Sequence, residues 1–83
     1  MKTTVKVEQL KNNQFVIYTN DGTYFQSYNS IIAFVPIKGK IQIGRDWEYS
    51  KTTGKYRNQF LGETKKETQA KLDSGEYIFN PNL

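Results

Sequence analysis

The 83-residue chain has no cysteine and no histidine. Their absence excludes disulfide cross-links, zinc and iron–sulfur sites built from the usual ligands, thiol nucleophiles and imidazole acid–base catalysis. Long apolar runs are also missing. The longest, Ile31 to Ile37, is interrupted by Pro36 and falls far short of the roughly 18 residues that cross a membrane. The stretch from Met1 to Lys6 lacks the apolar region and small-residue cleavage site of a secretory signal, so a cytoplasmic protein with no membrane partner is expected. Any enzyme would have to work with Lys, Tyr, Ser, Thr and carboxylates alone. No recognisable constellation of these occurs, so the expected class is a non-enzymatic binder without cofactor or metal.

What the chain does contain is 36% hydrophobic, 14% aromatic and 24% charged residues, a globular composition at a length that allows one domain with a thin core. The expected fold class is α+β: residues 1–44 mainly β, 45–75 mainly helical, a last strand over 76–79 and a tail over 80–83. In the first half, Thr3 to Leu10 alternates with Val5 and Val7 on one face, and Gln14 to Thr19 forms a second strand. Asn20-Asp21-Gly22 is the strongest turn signal. A three-residue loop here sets Ile17 opposite Phe25 and gathers Phe15, Ile17 and Phe25 on one face, leaving Val16, Tyr18, Tyr24 and Gln26 on the other. Ile31 to Ile37 continues as a strand in which Pro36 suggests an edge or a bulge, and Ile41 to Ile43 ends at Gly44. The sum is an antiparallel meander of about five strands.

In the second half, Thr52 reads as the cap of a helix carrying Tyr56 and Phe60, with Gly54 as helix punctuation and Gly62 as the stop. Thr64-Lys65-Lys66-Glu67 is a capping box opening a second helix that ends at Ser74-Gly75.

The net charge of +4 is local. Residues 38–57 hold Lys38, Lys40, Arg45, Lys51, Lys55 and Arg57 against Asp46 and Glu48, and the rest of the chain balances. Trp47, Tyr49 and Tyr56 fall in the same segment. Cations interleaved with flat rings suit a nucleic-acid groove, with phosphates on the cations and unpaired bases on the rings. The candidate nucleic-acid-binding residues are therefore Lys38, Lys40, Arg45, Trp47, Lys51, Lys55 and Arg57. Two bland readings stand beside this one: Trp47 as the plug between helix and sheet, and the lysines as a solvated face. Tyr24 and Tyr28 likewise read either as a base-stacking strip or as packing under a helix. Asp46 and Glu48 lack a third ligand, and Lys51-Thr52-Thr53-Gly54-Lys55 echoes a phosphate loop without its frame.

The runs Tyr24-Phe25-Gln26-Ser27-Tyr28-Asn29-Ser30 and Asp46-Trp47-Glu48-Tyr49-Ser50-Lys51-Thr52-Thr53, the Tyr56-Arg57-Asn58-Gln59-Phe60-Leu61-Gly62 stretch and Ser74-Gly75-Glu76-Tyr77 carry a resemblance. Over about residues 14–79 the chain resembles a family of small uncharacterised proteins from bacteriophages and mobile elements of low-GC Gram-positive bacteria. The resemblance implies a phage or prophage origin, a non-structural accessory role and a location in the host cell. It assigns no functional residue. The expected function is nucleic-acid binding through the basic segment. The alternative is an inhibitor binding a host enzyme or defence protein, acting as a homo-oligomer if one apolar face of the second strand needs a partner subunit.

Overall fold

The computed structural model describes residues 5–83. Six strands form one sheet in the order of the chain: β1 (Lys6–Lys11), β2 (Gln14–Thr19), β3 (Gly22–Ser27), β4 (Ser30–Pro36), β5 (Gln42–Ile43) and β6 (Ile78–Phe79). Neighbours from β1 to β5 run antiparallel, whereas β6 lies parallel to β5. Between those two strands the chain forms α1 (Lys51–Leu61) and α2 (Lys65–Ser74). A parallel neighbour needs such a crossover, and its two helices settle on one face of the sheet. There Phe60 stacks on Phe25 at 5.6 Å, and the Thr53 and Ser27 hydroxyls meet at 2.8 Å. The core consists of Phe25, Ile32, Ala33, Ile43, Trp47 and Tyr77. The α+β meander followed by two helices and a last strand is as expected.

The β2–β3 register is not the expected one. Thr19 pairs with Gly22, Val16 with Phe25 and Ile17 with Tyr24, so the loop has two residues, Asn20 and Asp21. The Thr19 hydroxyl closes it by donating to the Gly22 carbonyl at 2.9 Å and accepting from the Asp21 amide at 3.2 Å. Gly22 is a strand residue with φ +148°, needed because β4 runs so close that a Cβ would meet the Val35 carbonyl oxygen at 2.3 Å. Each face consequently changes composition. Val16 and Phe25 face the helices, and Phe15, Ile17, Tyr24 and Gln26 face away.

Other details also depart from expectation. Val7 is 57% exposed, because it lies on the sheet face that neither helix covers, and of β1 only Leu10 reaches the core. The Thr3 and Thr4 part of that expected strand lies outside the described residues. Pro36 is in an interior strand rather than at an edge. Its missing donor points toward β5, which pairs only with Ala33 and Phe34, so no ladder bond is lost. The bulge in β4 is at Ile32, which lets Ile32 and Ala33 both enter the core. The cap of α1 is Ser50, whose side chain accepts from the Thr53 amide, and not Thr52. Gly54 lies inside that helix.

Gln14 is fully buried, and its Oε1 and Nε2 have no hydrogen-bond partner among the described residues. An unpaired buried amide costs about 1–3 kcal/mol. Gln14→Met, similar in size and shape, is therefore expected to raise stability by about 1 kcal/mol in urea denaturation, and a lower midpoint would show that the amide is satisfied by water.

Candidate anion-binding cleft

The basic segment does not form one patch. Lys38 and Lys40 flank the turn between β4 and β5, and Lys40 Nζ donates to the Gly75 carbonyl at 2.7 Å, satisfying the C-terminal end of α2. Arg45 is in a different place, a cleft of about 340 Å³ formed with Asn29, Asp46 and the tail from Pro81 to Leu83. Lys51 and Lys55 lie one helical turn apart on α1 and line a third region together with Lys65, the first residue of α2.

Two of the seven candidates are interior. Trp47 is 6% exposed and belongs to the core, so the plug reading holds and the indole offers no stacking surface. Arg57 is 1% exposed. Its guanidinium lies 4.9 Å from the Trp47 ring centre, Nη1 donates to the Trp47 carbonyl, and Nη2 donates to Asn58 Oδ1 at 3.0 Å. Sequence counted Arg57 among the candidate phosphate-binding cations, but its position in α1 turns it inward over the indole. A basic side chain surrounded by apolar periodicity gives no local sign of this.

The buried guanidinium lacks a carboxylate. The ion pairs among the described residues are Lys65 with Glu48 and Lys71 with Glu63, both at 2.7 Å, and neither includes Arg57. Nε has no hydrogen-bond partner there either. Burial lowers the Arg57 pKa, while the charges of Glu48 and Glu63 act in the opposite direction. An arginine nevertheless remains charged at any ordinary pH. This cation, which no carboxylate pairs directly, forms the floor of a cleft of about 380 Å³, whose walls carry Lys51, Lys55, Lys65, Glu48 and Ser50. Gly54 lines it, and a Cβ there would sit in ordinary van der Waals contact with Nη2 at 3.6 Å. Four cations against one carboxylate leave a strongly positive hollow that an anion of phosphate type would neutralise.

Lys65 was absent from the candidates. Its signal is weak in sequence, since it belongs to the capping box of another helix, but the tight Gly62-Glu63-Thr64 link returns the start of α2 to the side of α1. Near the cleft, Tyr49 and Tyr28 are exposed rings 5.6 Å apart and tilted by 59°. They border a separate hollow of about 120 Å³ with Ser27, Asn29 and Ser30. Tyr24 stacks on Phe34 at 4.2 Å on the sheet face that carries no helix, which excludes packing under a helix for that ring. The two neighbouring carboxylates diverge: Asp46 accepts from the Ser30 hydroxyl at 2.6 Å, and Glu48 pairs with Lys65. Among the described residues no group of three or more acidic, His or Cys side chains is placed to hold a metal ion, and no helix is long and apolar enough to cross a membrane.

The fold thus defines a small α+β domain: a six-stranded sheet with two helices on one side and a basic cleft where those helices meet. Over residues 2–76 the chain matches the model of a family of unknown function, DUF8033, and it belongs to that family. No curated protein and no solved structure matches it.

Proposed function

We propose that the protein is a non-enzymatic accessory module of phage origin that binds nucleic acid through backbone phosphates, with Lys51, Lys55 and Lys65 making the contacts and buried Arg57 supplying a fixed charge beneath them. The observation that supports this reading is the buried guanidinium, paired directly with no carboxylate, under three surface lysines. A buried cation without a carboxylate is costly to retain for packing alone. With Trp47 inside the core, base stacking falls to Tyr28 and Tyr49, and recognition follows the backbone with little sequence choice.

The test is fluorescence anisotropy with labelled single-stranded DNA, duplex DNA and RNA at two salt concentrations. Three phosphate contacts give a log–log salt slope of roughly −2 to −3. The double variant Lys51→Glu/Lys55→Glu is expected to weaken binding by about ten-fold or more and to flatten that slope. Absence of binding to all three probes at low salt would overturn the proposal. In that case, retention of one defined host protein after nuclease treatment of the lysate would favour the inhibitor alternative.

A further inference from the structure

The sheet has a second face that neither helix touches. Strand pairing places Val7, Ile17, Tyr24, Phe34, Gln42 and Ile78 in one continuous row across all six strands. Beside it runs a row of Gln9, Phe15, Gln26 and Ile31, and on its other side Thr19, Gly22 and Pro36. The helix contacts, Thr53 with Ser27 and Phe60 with Phe25, are all made from the opposite side. At the ends of the central row Val7 is 57% and Ile78 46% exposed. Not one residue in these rows is charged, although 24% of the chain is Asp, Glu, Lys or Arg. The charges of β1 itself, Lys6, Glu8 and Lys11, alternate onto the helix-bearing side.

We infer that this uncharged sheet face is the interface of a homodimer, in which two copies pack face to face about a two-fold axis. Three observations select a second copy as the occupant. A nucleic acid would need cations on the face, and among the described residues there are none. Two copies that each carry a net charge of +4 repel wherever their charged surfaces meet, so self-association requires a charge-free surface. The polar groups that are present, Gln9, Gln26, Gln42 and the Tyr24 hydroxyl, both donate and accept, so they can pair reciprocally across a two-fold axis. Within the chain Gln26 Nε2 donates to the Tyr28 carbonyl and Gln42 Oε1 accepts from Asn80, which leaves the Gln26 oxygen and the Gln42 amide NH2 for a partner.

Area sets the expected strength. At roughly 3.4 Å per residue and 4.8 Å between strands, the four long and two short strands span a plane of about 450 Å² before the relief of the side chains is counted. A standard interface buries about 800 Å² per partner and weak ones less, so a reversible dimer is expected rather than a permanent one. Edge-to-edge association is disfavoured. Edge β1 bears Lys6, Glu8 and Lys11 with an irregularity between Gln9 and Lys11, and edge β6 has only two residues.

Sedimentation velocity on nuclease-treated protein, over roughly a hundred-fold range of concentration, tests the inference. The mass is expected to rise from 9.7 kDa toward twice that value and to be no lower at high salt. Tyr24→Lys should hold the protein at the one-chain mass. Because Tyr24 stacks on Phe34, the double variant Val7→Lys/Ile78→Lys, at two exposed positions, provides the control with packing intact, and it too should abolish the rise while the circular dichroism is unchanged. A wild-type mass that stays at one chain at every concentration, or a dimer that survives both variants, would overturn it. Neither outcome depends on whether the cleft binds nucleic acid.

Discussion

Glu63→Ala is expected to destabilise the protein by about 3 kcal/mol, a loss comparable with the total of roughly 4–12 kcal/mol for a domain of 83 residues. Glu63 lies in the link between the helices, and its side chain is 4% exposed. One carboxylate oxygen accepts from Lys71 Nζ at 2.7 Å and from the Tyr77 hydroxyl at 2.8 Å, and the other from the Thr68 hydroxyl. These bonds tie the link, α2 and the segment entering β6 to a single group. Truncation leaves the hydroxyl of buried Tyr77 without its acceptor, and that of buried Thr68 with only the Thr64 carbonyl at 3.2 Å. The loss is placed at the low end for broken buried pairs because Lys71, whose side chain is 34% exposed, can return to water.

The same group makes stability depend on pH. Burial alone would raise the Glu63 carboxyl, but the hydrogen bonds from Lys71, Thr68 and Tyr77 and the Lys71 charge outweigh it and hold it below the ordinary carboxylate range. A folded pKa below the unfolded one means that the contribution is complete above about pH 4.5 and is lost as pH falls through the depressed value. Tyr77 acts at the other end. Burial, then its bond to Glu63, pushes the phenol up to about 12, so its contribution is complete below about pH 10 and is lost as pH rises toward 12. Urea denaturation of wild type and Glu63→Gln across pH should show the acid limb reduced in the variant. An unchanged acid slope would mean that other carboxylates produce it.

Gly22→Ala is expected to be at least as damaging, with a loss of more than about 3 kcal/mol and a fall in Tm of roughly 12–24 °C. Two independent costs add at this position. The backbone φ of +148° strains any L side chain, and the added Cβ would meet the Val35 carbonyl oxygen at 2.3 Å, Pro36 Cα at 2.7 Å and Phe34 Cε1 at 2.8 Å. Two of these neighbours are backbone atoms of the central strand β4, so relief requires opening the sheet. Gly39→Ala separates the terms: φ there is +103°, but nothing lies within 4 Å, so only the backbone cost of about 1–2 kcal/mol is expected. Thermal denaturation of the two variants compares them directly, and equal losses would remove close approach as the cause.

Legibility in the sequence followed the range of the forces involved. The capping box at Thr64 and Glu67, the stops at Gly62 and Gly75 and the span Gln14–Thr19 are all as read, because each depends on hydrogen bonds or dihedral angles within a few residues. The β2–β3 register was not readable, because the position of Gly22 is decided by Val35 and Pro36, which approach it from another strand. Nor was the parallel pairing of β6, since Glu76 to Phe79 reads as a strand whichever way it docks. For the cleft, the concentration of charge in residues 38–57 pointed to Lys51 and Lys55, while the burial of Arg57 and the approach of Lys65 depend on how two helices lie against each other.

The parallel pairing of β5 and β6 bears on the order of assembly. Each hairpin from β1 to β4 closes a loop of two residues, whereas joining β6 to β5 closes one of 34, from Gly44 to Tyr77. The length-dependent entropy of that closure is roughly 3 kcal/mol, against about 0.6 kcal/mol for a two-residue loop. The meander can therefore form from contacts between sequence neighbours, while the last strand docks only once the helices have covered Phe25 and the Glu63 cluster has drawn Tyr77 into place. On this route the domain closes from the β1–β4 meander toward its C-terminal strand, and the two-residue edge at β6 is the part whose amides exchange first.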